Sequence, residues 1–221
     1  MFEHIKIDLG YDDLNAVTEE SGRKYSTPDG TRYPSITTVL SILSKDSIAK
    51  WKKRIGEEKA NQISFRASQR GTAVHELIEK YINNDSGYLS GYMPNIISNF
   101  LSVKDILDER IGKVYGQECP LYSDHLRLAG RVDCVAEFDG KISIIDFKTS
   151  KKLKRIEYVE NYFCQEAGYA VMWEERTGMP IEQLVTIIAV DDEDPQIFIE
   201  TRDKWIGKLI ETVELYESSP N

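Results

Sequence analysis

The chain holds three cysteines in 221 residues, Cys119, Cys134 and Cys164, and no two of them stand in a C-x-x-C spacing. That scatter and odd count exclude a disulfide framework and supply no ligand set for a zinc ribbon or an iron–sulfur cluster. A reducing, cytosol-like compartment is the expectation. The opening residues lack a basic segment followed by an apolar one, so no secretory leader is expected. No apolar run approaches the ~18 residues of a membrane span. Internal repeats, low-complexity tracts and Gly/Ser linkers are also missing, which leads to one domain over residues 1–221. What is present is a globular composition, 41% hydrophobic and 29% charged, able to build a core without covalent staples.

Positive charge is also scarce, and the net charge of −9 speaks against a nucleic-acid partner until its distribution is read. Residues 1–20 carry six acids against one lysine, and residues 191–221 carry nine acids against three bases. The stretch between them is two charges positive. It contains two dense basic runs, Lys50-Trp51-Lys52-Lys53-Arg54 and Lys148 to Arg155, the latter with Lys151, Lys152 and Lys154. Each run fits either a solvated face or a local phosphate-binding surface.

Residues 1–22 read as irregular. Arg23–Tyr33 reads as a short hairpin turning at Pro28-Asp29-Gly30. Ser35 sits where an N-cap belongs, ahead of Ile36, Val39, Leu40 and Leu43. Helices are expected from Ser47 through Arg54, from Ser64 to Ile82 and from Ile96 to Ile111, with Asn83–Pro94 as a loop. On the Ser64–Ile82 helix, Phe65, Ser68, Thr72, His75, Ile78, Glu79 and Ile82 fall near one face. The period then switches to two over Val114–Tyr122, Leu128–Phe138 and Lys141–Thr149. A helix from Glu157 to Arg176 ends at Gly178 and Pro180, and strands Leu184–Val190 and Gln196–Thr201 flank the acidic loop Asp191–Pro195, expected to be solvated. An amphipathic helix with Trp205, Leu209, Val213 and Tyr216 closes the chain. The pattern is mixed α/β, with an irregular start (1–22), a helical arm (about 35–113) and a core (about 114–205). Cys134 and Cys164 are expected to be core thiols.

The most informative stretch is Gly130 to Ser150. Asp139-Gly140 between two β-rich runs is a strong two-residue hairpin signal. With those residues as the loop, Phe138 pairs with Lys141, and counting back along both strands sets Asp133 opposite Asp146. Directly opposed residues share a face with Cβ atoms about 4.5–5.5 Å apart, so two carboxylates there repel unless a cation lies between them. Lys148 projects from the same face as Asp146. Carboxylates around a divalent metal beside a lysine suit phosphodiester hydrolysis: the metal clamps the phosphate and activates water, and the lysine orients or deprotonates the water and offsets transition-state charge.

Two further residues are candidates. Glu118, in the preceding strand, would return near Gly130–Arg131 if the chain turns at Ser123–His125; it reads equally as an exposed edge glutamate. His75 is either a packing histidine or a ligand. The string His75-Glu76-Leu77-Ile78-Glu79 falls short of the H-E-x-x-H zinc-protease motif because Glu79 replaces the second histidine.

Taken in order, His75, Glu118, Gly130-Arg131-Val132-Asp133, Ile145-Asp146-Phe147-Lys148-Thr149 and Gln165-Glu166-Ala167-Gly168-Tyr169 resemble the PD-(D/E)XK nucleases, in the subgroup with a RecB-type nuclease domain. Tyr33-Pro34-Ser35-Ile36-Thr37-Thr38-Val39-Leu40, the Trp51 basic run and Asp133-Cys134-Val135-Ala136-Glu137 are similar to the branch of mitochondrial genome maintenance exonucleases and their bacteriophage relatives. Val132 stands where the superfamily name places proline. The resemblance implies a restriction-endonuclease-like core, a central mixed sheet flanked by helices, with an N-terminal helical arm. It also implies His75, Glu118, Asp133, Asp146 and the Phe147 carbonyl as ligands of Mg²⁺ or Mn²⁺, with Lys148 as catalytic lysine beside Asp133 and Asp146. Gln165 and Tyr169 would position the site and the strand, and Ser35 would contact a phosphate. Trp51, Lys52, Lys53 and Arg54 would belong to an arch over single-stranded DNA, and Lys151 and Lys152 would assist beyond the catalytic strand. The cysteines needed by iron–sulfur branches are missing, so no such cluster is expected. The function implied is a sequence-independent, metal-dependent exonuclease on single-stranded DNA or single-stranded ends, in replication, repair or recombination, located in a cytoplasm, with a phage-encoded enzyme in the host cytoplasm as one form of this, and with no membrane partner. A flap-type endonuclease and a silent DNA-binding module are the alternatives.

Overall fold

In the computed structural model, which describes residues 1–219, two sheets and six α-helices follow one another along the chain. A small sheet of β1 (Asn15–Glu19), β2 (Gly22–Ser26) and β3 (Arg32–Pro34) is antiparallel throughout. The hairpin expected between Arg23 and Tyr33 is there. β1 instead falls in the stretch read as irregular, because it is a short edge strand whose side chains are mostly exposed and show no alternation. The residues before it are pinned along the fold, with His4 bridging to Val114 and Leu14 buried.

Helix α1 (Ile36–Leu40) begins at its Ser35 cap, whose Oγ accepts from Thr38 N. Helices α2 (Lys45–Ile55) and α3 (Glu57–Ile82) meet at Gly56, whose φ of +89° turns the chain between them. α3 starts seven residues before the expected Ser64. The extra residues carry only Ala60 and Ile63 as apolar side chains, too few to give a period to read. α2 has no buried residue, and α3 up to Gly71 has only Ala60. Phe65 and Ser68 are exposed on this arm, not part of a packed face. The buried face of α3 is Val74, Leu77, Ile78 and Ile82.

Helix α4 (Pro94–Arg110) packs on the large sheet, so the arm proper is α2 and the first half of α3. That sheet runs β4 (Ile111–Ser123), β5 (Leu128–Phe138), β6 (Lys141–Ser150), β7 (Gln183–Val190), β8 (Gln196–Thr201), in that order. Only the β6–β7 pair is parallel, and its crossover is α5 (Glu160–Thr177), capped by Gly178 in the left-handed region. The α6 helix (Arg202–Ser218) follows. One face of the sheet carries Val135, Ile144 and Leu184 against α1, α5 and α6. The other carries Cys134, Ile145, Phe147 and Ile187 against α3 and α4. A Cβ on Gly168 would lie 2.3 Å from Ile36 Cδ1, so glycine there lets α1 and α6 close on α5. With both faces covered, β5 and β6 read as near-continuous apolar runs, and a carboxylate among them is costly unless something binds it. Cys134 and Cys164 are buried free thiols. No helix of the described residues is long and apolar enough to cross a membrane.

Candidate active site

The β5–β6 register follows the Asp139-Gly140 turn as far as Cys134 opposite Ile145. There the backbone pairing ends. At the next position Asp133 Oδ2 accepts from Phe147 N at 3.0 Å, so a side chain replaces the ladder where the two aspartates meet. β6 continues by pairing with β7.

On the other side of β5, Gln117 pairs with Cys134 and Cys119 with Val132. That register leaves Glu118 level with Asp133, not beside Gly130–Arg131 as the sequence suggested. The turn lies between Ser123 and Leu128, later than expected. Glu118 has φ +46°, an uncommon conformation for a residue with a Cβ. Its carbonyl receives a hydrogen bond from Arg131 Nη1, which helps hold it there. His75 comes from α3, with Nδ1 3.4 Å from Asp133 Oδ2 and its ring edge-on to Phe147.

His75, Glu118 and Asp133 each offer a ligand atom within 4.8 Å of the others. Three convergent donors, two of them carboxylates, form a set that could hold a divalent cation. Burial raises the Glu118 carboxyl to about 7, with Asp133 and Glu79 adding repulsion. A cation at this point would relieve that repulsion, and the fit is chemical as well as spatial.

Asp146 stands apart from the triad. It is 2% exposed, and its Oδ1 accepts from Gln165 Nε2 at 3.1 Å. Its Oδ2 forms an ion pair with Lys148 Nζ, but the approach lacks hydrogen-bond geometry and Oδ2 has no other partner. Burial raises the Asp146 carboxyl; Lys148 opposes the shift and Asp133 adds to it. Burial would lower the Lys148 ammonium, yet Asp146 and Asp133 together outweigh it and hold the lysine charged. Lys148 also lies over the Tyr162 ring, 5.1 Å from its centroid, a cation–π contact. Phe147 meets this cluster through its amide.

An open cleft of about 530 Å³ lies over the triad. Ser35, Gln165 and Tyr169 line it, as do Arg23 and Tyr25 from the small sheet. A Cβ on Gly130 would come 2.8 Å from the Tyr169 hydroxyl, so the glycine makes room for that ring. Ser35 itself is buried and committed to its cap network.

The basic runs are elsewhere. Trp51 and Lys52 are half-buried on α2, and Lys53 and Arg54 are exposed. Lys151 and Lys152 are exposed just past β6. The acidic loop is only partly solvated: Asp191 accepts from Arg70 Nη1 at 2.6 Å and Asn99 Nδ2 at 3.2 Å, tying α3 and α4 to the end of β7.

Three neighbours of the site carried no motif in the sequence. Tyr162 stands one turn before Gln165 on α5 and was hidden among twelve tyrosines. Arg23 lay in a plain hairpin. Glu166 is fully buried, with Oε1 accepting from Thr186 Oγ1 and its carboxyl pushed well up by burial, the Asp146 charge adding.

A helix histidine, a carboxylate on the neighbouring strand and D-x-K at a splayed strand end are the parts by which one class of nucleases is defined. Residues 102–212, half of the chain, match the family model of the PD-(D/E)XK nuclease superfamily, and the chain belongs to that superfamily. It is related to mitochondrial genome maintenance exonuclease 1 of Homo sapiens, 31% identical over 210 residues, and of Mus musculus, 28% identical over 202 residues. Both matches cover 82% of this chain but only 58% and 59% of the relatives, so the chain spans less than three-fifths of their length. A solved structure from Eubacterium rectale, described as a candidate exonuclease, is 15% identical over 67% of this chain and 64% of its own, at a TM-score of 0.42. At that score it supports nothing about function.

Proposed function

We propose that this chain is a divalent-metal-dependent exonuclease acting without sequence preference on single-stranded DNA or single-stranded DNA ends, in replication, repair or recombination. The observation that carries the reading is the convergence of His75, Glu118 and Asp133 within 4.8 Å in the lining of an open cleft, with Lys148 paired to Asp146 on the neighbouring strand. The nitrogen and oxygen donors suit Mg²⁺ or Mn²⁺. Asp146 and the Phe147 carbonyl complete the ligand set in this reading once the Lys148 contact relaxes. A bound cation would supply Lewis-acid polarisation of the phosphate and a more acidic water.

The protein's own groups do the rest. Asp133, braced by the Phe147 amide, and Glu118, whose carbonyl is held by Arg131, keep their oxygens toward one point. Lys148 is held charged by Asp146 and Tyr162, so it acts by orienting water and neutralising charge that builds on the phosphate. Gln165 keeps Asp146 in place through its amide. Tyr169 and Ser35 border the strand's path, while Trp51, Lys52, Lys53 and Arg54 on the arm and Lys151 and Lys152 past β6 hold phosphates at a distance. Phosphate contacts of this kind carry no base readout, which supports sequence independence.

The test uses 5′- and 3′-labelled single-stranded oligonucleotides with Mg²⁺ or Mn²⁺, an EDTA control and a circular single strand. A product ladder from one end, absent in EDTA and absent on the circle, is expected. Cleavage of the circle would establish an endonuclease, and binding without cleavage a silent module.

A further inference from the structure

Arginines on this protein are mostly spoken for. Among the described residues, those with no carboxylate within ion-pair distance are Arg23, Arg54, Arg66 and Arg155. Arg54 and Arg66 stand on the arm, and Arg155 on the exposed segment after β6. Arg23 is the one that lines the cleft over the triad. The other arginine of that cleft, Arg131, is already engaged by the Glu118 carbonyl and by Asp13 Oδ1.

The sequence builds Arg23 into place. On β2, residues two apart share a face, so Arg23 and Tyr25 project together. Tyr25 is 3% exposed and offers a fixed ring, and the guanidinium lies 5.2 Å from its centroid. The Arg23 backbone is clamped at both groups: its N–H donates to Thr38 Oγ1 at 3.1 Å, and its carbonyl accepts from Ser35 N at 2.7 Å. Thr38 Oγ1 is in turn held by Ser35 Oγ at 2.8 Å. The network that caps α1 therefore also fixes the strand position from which Arg23 reaches the cleft.

A guanidinium held over a ring and without hydrogen-bond partners keeps its N–H donors free, and its planar fork suits two oxygens of one phosphate. The cleft otherwise presents Glu76, Glu79, Glu118 and Asp133, none of which Arg23 pairs with. We infer that Arg23 is the phosphate-capturing residue of the cleft, binding the oxygens of a nucleic-acid phosphate next to the triad. This rests on the nuclease reading of the same site. The phosphate is either a backbone phosphodiester or a terminal phosphate, and the two share the chemistry that Arg23 recognises.

The test compares wild type with Arg23→Ala and Arg23→Lys on short single-stranded oligonucleotides carrying 5′-phosphate, 3′-phosphate or hydroxyl ends. Affinity is read in EDTA over a salt series, and cleavage separately with Mn²⁺. Arg23→Ala is expected to weaken binding about tenfold and to reduce the salt dependence by about one phosphate contact. Arg23→Lys should recover part of this, since it keeps the charge and loses the planar fork. An equal loss on all three ends assigns a backbone phosphodiester; a loss confined to one phosphorylated end assigns a terminal phosphate. The side chain is exposed and makes no hydrogen bond among the described residues, so the melting temperature should not move. If it does, Arg23→Gln, which keeps most of the stem, takes the place of Arg23→Ala. Unchanged affinity and salt slope on every end would overturn the inference. If wild type still cleaves in that case, the nuclease reading stands without it. If wild type cleaves nothing while Arg23→Ala still binds more weakly, the reading falls and the phosphate site survives.

Discussion

Lys148 and Lys53 carry the same charge in opposite settings. Lys148 is 22% exposed, pinned between the Asp146 carboxylate and the Tyr162 ring. Lys53 stands exposed on α2 beside Arg54, with no carboxylate partner among the described residues and no buried residue on its helix. A charge fixed by its neighbours can act on one bond of a bound substrate. A free charge on a projecting helix meets any phosphate that passes and favours none. On the proposed function the core would serve the chemical step and the arm capture, so substitutions in the two regions should separate in kinetics.

The largest separation is expected at Lys148. Lys148→Ala should lower the cleavage rate by about 10³-fold or more while leaving single-stranded DNA affinity in EDTA near wild type. Asp146→Asn should be as severe and should also weaken Mn²⁺ binding, which isothermal titration would read. If Lys148→Ala kept its rate and lost affinity instead, the division between regions would be reversed.

The arm should behave in the other sense. Replacing Lys52, Lys53 and Arg54 together with Ala should weaken binding by about 10- to 100-fold at low salt and flatten the log–log salt slope by about 2. The rate at saturating DNA should hold. An unchanged salt series would make this run a plain solvated face.

That division was only partly legible beforehand. The Asp139-Gly140 turn set the β5–β6 register, and the D-x-K spacing pointed to its polar end, because a two-residue turn propagates its pairing without further information. The backbone turn at Glu118 was not legible: a glutamate at φ +46° has no signature of its own, and the expected position was displaced along β5. Asp146 was read as an equal partner of Asp133, yet it is turned toward Lys148 and Gln165, an orientation set by α5 packing that no strand pattern encodes. The first seven residues of α3, 57–63, were missed for a third reason. With Ala60 their one buried residue, they had no apolar stripe to show, and the same exposure marks them as a surface rather than a core element.

A smaller effect should appear at Tyr162. Tyr162→Leu is expected to lower kcat about fivefold with little change in KM, since the ring lies against Lys148 and does not line the cleft. Tyr162→Phe keeps the ring face and should restore the rate. Equal losses in both variants would assign the effect to the hydroxyl.

The smallest is a pH effect on stability. Burial raises Glu118 to about 7, so the folded metal-free chain binds this proton more tightly than the unfolded chain does. The stability it contributes is complete below the ordinary carboxylate range and is lost as pH rises toward about 7. Melting in EDTA should therefore weaken by a few degrees between about pH 5 and pH 7.5, and Glu118→Gln should flatten that slope. Divalent cation should stabilise more at the upper end than at the lower.

The proposed activity requires that His75, Glu118 and Asp133 hold a cation. A crystal of the protein grown or soaked with Mn²⁺, with anomalous data collected near the manganese edge, measures this directly. The expected result is a peak about 2.0–2.4 Å from a donor atom of each of the three residues. A map with no peak there, or with its only peak at the Asp191–Asp194 loop, would contradict the assignment.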